Sequence, residues 1–109
     1  MDMREKYYLI RQRDNKEFCI PEYPVSISIG RGGHNTIVTT NPIASHTHVR
    51  LYTFKGNCFL DNLQLDDYFH KGTFVNRQKR LESRVKLNVG DLVQLANTSS
   101  TKYGIDKGI

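Results

Sequence analysis

The stretch IGRGGHNTIVTTNPIASHTHVRLY, residues 29–52, decides the fold of this 109-residue chain. A Gly-Arg pair opens it, Ser45 follows fourteen residues after Arg31, and His48 comes three residues later. Runs of β-favouring residues flank these positions, so the polar side chains are expected in loops between short strands. A phosphate-binding rim, a catalytic site and a degenerate form of either are all open interpretations of this spacing.

Short β-favouring runs separated by turn residues recur along the whole chain. The run VSISI (25–29) alternates strictly, and so does THVRLYTF (47–54), with Val49 and Leu51 expected on one face and Tyr52 and Phe54 on the other. No window of eleven residues shows a helical repeat. This pattern predicts an all-β sandwich with function in its loops. Further strands are predicted at 6–12, 17–20, 36–38, 58–61, 72–76, 92–96 and 101–105.

Composition limits the classes of function. The chain is 38% hydrophobic and 25% charged, which is typical of one globular domain. No apolar run is long enough for a membrane span and the N-terminus lacks a secretory signal, so we expect no membrane partner and reduced thiols at Cys19 and Cys58. The net charge of +5 favours acidic partners.

Four segments occur in a set order, namely IGRGGHNTIV, ASHTHVRLY, DDYFHKGTFVN and LNVGDLVQLA. Together they resemble the forkhead-associated (FHA) domain, whose pattern runs GR, SxxH, DxxSxNGTxxN and LxxGD before an apolar strand. The resemblance covers residues 27–105 of the 109 and places residues 1–109 in a single FHA-like domain. It implies an FHA-type β-sandwich of about eleven strands that binds phosphothreonine peptides, with no enzymatic activity and no cofactor.

The resemblance assigns roles to individual residues. Arg31 falls at the arginine that approaches the bound phosphothreonine, a role suited to a guanidinium that is always charged. Ser45 falls at the phosphate-binding serine, and His48 falls at the histidine that braces the binding loop. The remaining loop-supporting positions of the pattern are Gly30, Gly72 and Asn76.

The sequence departs from the family pattern around the expected site. His46 follows Ser45 where the family often has Arg, Asn or Lys. In the second loop, His70 and Lys71 precede Gly72 where the family has a residue followed by Asn. Lysine donates hydrogen bonds but cannot accept them, so Lys71 cannot replace the amide clamp on the peptide backbone. We expect an unusually basic phosphopeptide site, either degenerate or of altered specificity, formed by Arg31, Ser45, His46, His70 and Lys71.

These departures resemble those of the N-terminal FHA domains of DNA-damage checkpoint mediator proteins. That likeness implies a nuclear scaffold, an N-terminal position in a larger protein and homodimerisation with a degenerate site. A working phosphothreonine reader with altered specificity is the alternative. The expected partners are therefore a second copy of the chain or a phosphothreonine-containing protein.

Other chemistries have weaker support in the sequence. Ser45 and His48 lack a Gly-x-Ser-x-Gly elbow, which argues against a hydrolase. The His and Cys residues lack metal-ligand spacing, so no metal site is predicted. The basic segment 77–86 contains no aromatic residue, so nucleic acid is expected only as a weak, minor partner.

Overall fold

The computed structural model describes residues 6–42, 44–63, 72–96 and 101–108 of the chain. These residues form eleven strands, which confirms the all-β prediction. No helix among them is long and apolar enough to cross a bilayer. The strands are β1 Lys6–Arg11, β2 Lys16–Cys19, β3 Ile27–Gly30, β4 Ile37–Val38, β5 Val49–Phe54, β6 Asn57–Asn62, β7 Thr73–Val75, β8 Gln78–Arg80, β9 Arg84–Leu87, β10 Leu92–Leu95 and β11 Lys102–Gly108.

The strands build two sheets that face each other across one core. The six-stranded sheet has the order β2-β1-β11-β10-β7-β8, and the five-stranded sheet has the order β4-β3-β5-β6-β9. Only the β3–β4 pair among the assigned strand pairs of the described residues is parallel. The alternating strands supply the core, with side chains from both sheets fully buried, including Leu9, Ile29, Leu51, Leu60 and Val93.

Two hairpin turns have positive φ at both central residues, but only one of them contains the glycine that predicts such a turn. Lys55 and Gly56 link β5 to β6 with φ values of 51° and 81°, the pattern of a type I′ turn. The predicted turn at 55–57 therefore matches the structure closely. Asn76 and Arg77 link β7 to β8 with φ values of 53° and 69°. Strand β8 is absent from the sequence-based prediction, since an arginine occupies the second turn position where glycine is the usual signal.

The strand predicted at 25–29 begins later in the structure. Val25 is 60% exposed, and its amide donates to the Glu22 carbonyl at 3.0 Å in a turn. Strand β3 starts at Ile27, whose side chain is buried. The apolar–Ser alternation therefore identifies the strand but not its first residue.

The two cysteines lie in different environments. Both are free thiols, and Cys58 is fully buried, as expected of a residue packed in a strand. Burial raises the pKa of the Cys58 thiol to about 12. Cys19 lies in β2 but is exposed, so it is not packed in the core.

Candidate functional site

The loops that carry the motif residues meet at one end of the sandwich. Strand β3 ends at Gly30 and β5 begins at Val49, and these antiparallel strands pair through Ile29 and Val49. Val49 also pairs with Asn62, the last residue of β6. Three segments therefore leave the five-stranded sheet at the same end of its strands, namely the loop 31–36, the loop 39–48 and the chain that follows β6.

A buried polar contact joins the two sheets at this end. The Thr73 hydroxyl, at the start of β7, donates to Asn62 Oδ1 at 2.8 Å, and both residues are buried. Asn62 Nδ2 donates to the Arg80 carbonyl at 2.9 Å. Asn62 could not be identified from the sequence, because an asparagine at a strand end has no distinctive pattern.

Gly30 allows the two motif loops to come together. A Cβ at this position would lie 2.3 Å from the His46 carbonyl oxygen and 2.8 Å from Thr47 Cα. The amides of the next two residues donate across the same gap, Arg31 N to Ser45 O at 2.8 Å and Gly32 N to His46 O at 3.0 Å. The glycine is therefore required by the close approach of two backbones, which any side chain would push apart.

Arg31 is exposed at the rim and is held by its inner guanidinium nitrogen. Its Nε donates to the Ala44 carbonyl at 3.1 Å. No carboxylate of residues 6–42, 44–63, 72–96 or 101–108 forms an ion pair with it. The Nε bond limits the swing of the side chain while the terminal nitrogens remain a cationic donor pair, which is the chemistry needed to bind a phosphate dianion.

His48 links the loop 39–48 to Gly72 from a buried position. It is fully buried, and its Nδ1 accepts a hydrogen bond from the Ser45 amide at 3.2 Å. That bond requires an unprotonated Nδ1, so the proton is on Nε2, which donates to the Gly72 carbonyl at 2.8 Å. Both ring nitrogens hold backbone groups, so this histidine has a structural role and is not arranged as a general base for a Ser45 nucleophile.

Ser45 and His46 lie next to Arg31 across the paired loops. Ser45 is half-buried with its backbone held at both ends, while the His46 side chain is exposed beside it. His34 is also exposed and shares a 2.6 Å hydrogen bond with the Thr47 hydroxyl. The structure therefore brings together Arg31, Ser45 and His46, three of the five residues predicted for the site.

Asn35 is a supporting residue that the sequence analysis missed. Its side chain is buried, and its Nδ2 donates to the Gly32 carbonyl at 2.7 Å and to the His46 carbonyl. One amide group thus joins the loop 31–36 to the loop 39–48. Asparagine is common in turns, so its position between Gly-Gly-His and a strand gives no specific signal for this role.

The second loop of the predicted site is described only at its end. His70 and Lys71 lie outside the described residues. Gly72 is buried with a φ of 116°, a conformation that favours glycine, and its carbonyl accepts from both His48 Nε2 and the Ala96 amide. Gly72 therefore connects the start of β7 to His48 in the loop 39–48 and to the residue that follows β10.

Asn76 supports loops at the opposite end of the sandwich. Its Nδ2 donates to Asp91 at 3.0 Å and its Oδ1 accepts from the Leu92 amide at 2.9 Å. These bonds secure the two turns that link β7 to β8 and β9 to β10. Its supporting role therefore concerns the far end of the domain and not the phosphate rim.

No group of three or more His, Cys, Asp or Glu side chains within the described part of the chain could hold a metal ion. The described rim offers a cationic guanidinium and hydrogen-bonding groups. They belong to Arg31, the Ser45 hydroxyl and two exposed histidines. This set of groups suits an oxyanion ligand.

Comparison with protein families gives a match to the FHA domain over residues 27–96, which is 70 of the 109 residues. Sequence comparison with curated proteins gives no match.

Solved structures share the fold. An FHA domain from a study of phosphothreonine-dependent FHA domain interactions has a TM-score of 0.74 at 18% identity, with 95% of this chain and 98% of that chain covered. The FHA domain of CT664 from Chlamydia trachomatis has a TM-score of 0.75 at 16% identity, with 95% and 99% covered. The MEK1 FHA domain, solved with a HOP1 phosphothreonine peptide, has a TM-score of 0.73 at 18% identity, with 94% and 97% covered.

The family match spans both motif loops, and the two-sheet topology agrees with these structures. The chain belongs to the FHA domain family.

Proposed function

We propose that this domain binds phosphothreonine peptides through the rim formed by Arg31, Ser45 and His46. FHA domains are non-enzymatic protein-interaction modules that bind phosphothreonine. The observation that carries the proposal for this chain is the state of Arg31. The side chain is exposed, anchored through Nε, and without an ion pair to any carboxylate that the structure describes.

A pre-positioned arginine lowers the cost of binding a phosphate. The Ala44 carbonyl holds Nε, so less side-chain entropy is lost when the terminal nitrogens engage the ligand. The loop carrying Ser45 is fixed by the paired backbone amides and by His48. A rim held in this way supports a working reader, the alternative in the sequence analysis, over a degenerate site.

The peptide specificity is proposed to differ from that of family members with the usual asparagine. Lys71 replaces the residue whose amide both donates to and accepts from the peptide backbone. A lysine and the adjacent His70 instead add cationic donors. We therefore propose a preference for acidic residues beside the phosphothreonine, in place of tight backbone recognition.

The test is a phosphothreonine peptide library, measured by fluorescence polarisation against the wild-type domain. Matched libraries carry phosphoserine or unmodified threonine at the fixed position. We expect binding of phosphothreonine peptides only, enrichment of Asp and Glu in the flanks, and loss of binding in Arg31→Gln. Arg13→Gln, an exposed arginine in the β1–β2 turn, is the charge-matched control. Equal binding of the unmodified library would contradict the proposal.

Homodimerisation and a nuclear scaffold role are proposed as the setting of this activity. One observation favours a dimer face. The outer surface of the six-stranded sheet carries four half-buried apolar side chains, Tyr8, Ile10, Phe74 and Leu92. Sedimentation equilibrium at low and high salt tests it, because association through apolar contacts responds little to salt. A monomer throughout the micromolar range would contradict the dimer.

A further inference from the structure

The outer surface of the five-stranded sheet carries aromatic and basic side chains side by side. Along β5, Arg50, Tyr52 and Phe54 alternate with core residues and point away from the core. On β6 and β9 the corresponding outward positions include Phe59 and Lys86, which are cross-strand partners. The segment before β3 adds Tyr23, whose amide donates to the Thr53 carbonyl at 2.8 Å. We call this surface the aromatic–basic face.

Four aromatic rings are clustered on the aromatic–basic face. The Tyr23 ring lies 5.5 Å from Tyr52 and 5.8 Å from Phe54, and Tyr52 stacks on Phe59 at 5.9 Å. Tyr52 is only 3% exposed, since its neighbours cover it. Tyr23 and Phe54 are 56% and 42% exposed. The inner rings therefore support two outer rings that are open to a ligand.

Cations surround these rings. The Arg84 guanidinium lies 5.7 Å from the Tyr52 ring centre and 6.0 Å from that of Phe59, and the Lys55 ammonium lies 5.3 Å from Phe54. Asp61 is the one acid among the described outward positions of these five strands, and it pairs with Arg84 at 3.3 Å. Glu22, next to Tyr23, is a second exposed acid, and the four cations Arg50, Lys55, Arg84 and Lys86 outnumber the two acids, so the face is positive.

We propose that the aromatic–basic face binds single-stranded nucleic acid. Exposed rings on an open sheet offer stacking surfaces for unpaired bases, and the surrounding cations bind backbone phosphates. In the sequence, the basic segment 77–86 contains no aromatic residue. Strand pairing brings aromatic rings to this segment, because β9 lies beside β6. Lys86 is the cross-strand partner of Phe59, and Arg84 lies over the rings of Tyr52 and Phe59.

A second copy of the chain is a poor occupant of this face. A two-fold dimer would place this positive surface against an identical one, so Arg50, Arg84 and Lys86 would meet a surface of like charge. Like charges brought together in this way oppose association. A polyanion with flat rings complements both properties of the face.

The first experiment is fluorescence anisotropy of the wild-type domain with labelled single-stranded oligo-dT and oligo-U of about 12 nucleotides. We expect micromolar binding at about 50 mM salt and a slope of log affinity against log salt near −2, from about three phosphate contacts. A duplex of equal length and a polyglutamate peptide are the comparison ligands. No binding at low salt, or equal affinity for either comparison ligand, would overturn the proposal.

Variants separate stacking from charge. Tyr23→Ala combined with Phe54→Ala should weaken oligonucleotide binding by about tenfold or more without changing the salt slope. Lys86→Gln, which leaves the rings in place, should reduce the slope by about 0.7. Arg13→Gln, on the other sheet, is the matched control and should change nothing. Unchanged affinity in the double aromatic variant, with a wild-type melting temperature, would overturn the proposal.

The aromatic–basic face is separate from the phosphopeptide rim, so nucleic-acid binding and phosphopeptide binding can be tested independently. Arg31→Ala should abolish phosphopeptide binding and leave oligonucleotide affinity unchanged. Loss of oligonucleotide binding in Arg31→Ala would contradict the assignment to the aromatic–basic face.

Discussion

His48 is the buried side chain that joins the loop 39–48 to Gly72, so its replacement is the most demanding test of the site architecture. In His48→Ala the Ser45 amide loses its acceptor and the Gly72 carbonyl loses one of its two donors. An amide left unpaired in this half-buried loop costs about 1–3 kcal/mol, and the empty volume of the buried ring adds a cavity cost. Together we expect a loss of about 3–5 kcal/mol in the free energy of unfolding.

The assay is urea unfolding followed by circular dichroism, because the chain has no tryptophan. His34→Ala is the matched control, since His34 is exposed and shares one hydrogen bond with Thr47. We expect the control to change the unfolding free energy by less than about 1 kcal/mol. A His48→Ala loss no larger than that of the control would refute the bracing role.

Three other perturbations test separate parts of the structure. Gly30→Ala should lower the unfolding free energy by about 2–4 kcal/mol, because its Cβ would lie 2.3 Å from a backbone oxygen, while Gly33→Ala, which meets nothing within 4 Å, should have little effect in the same urea assay. Lys71→Asn should tighten phosphothreonine-peptide binding about tenfold by restoring an acceptor, and calorimetry that finds no gain for any peptide would count against it. Burial raises the pKa of Cys58 to about 12 from 9.0, so a thiol reagent at mildly alkaline pH should modify Cys19 alone, and modification of both native thiols would contradict this. Because the unfolded thiol ionises first, stability should fall as the pH rises above that lower value, by up to about 1.4 kcal/mol per pH unit.

The strand pattern predicted the all-β sandwich, and the motif spacing indicated which loops meet at one end of it. Arg31 and Ser45 were expected at the rim and His48 as the histidine that braces the loop, and the structure brings the three together through backbone contacts that depend on Gly30. The bracing role of Asn35 could not be predicted, because it depends on a loop contact eleven residues away in sequence.

Other features depend on pairing that a single sequence does not encode locally. Strand β8 went unrecognised because Arg77 adopts a positive φ without a glycine signal. Tyr52 was correctly assigned to the face opposite Leu51, yet it is buried, since Tyr23 from another segment covers it. The basic part of the aromatic–basic face likewise depends on pairing, because β9 pairs with β6 and places Arg84 and Lys86 beside it.

The most direct test of phosphothreonine binding is a nuclear magnetic resonance titration of the labelled domain with the tightest phosphothreonine peptide from the library. The account predicts shifts of the Arg31, Ser45 and His46 amides, none at Asn76 or Asp91 at the far end, and no response to the unphosphorylated peptide. Shifts confined to another surface, or an equal response to both peptides, would contradict it.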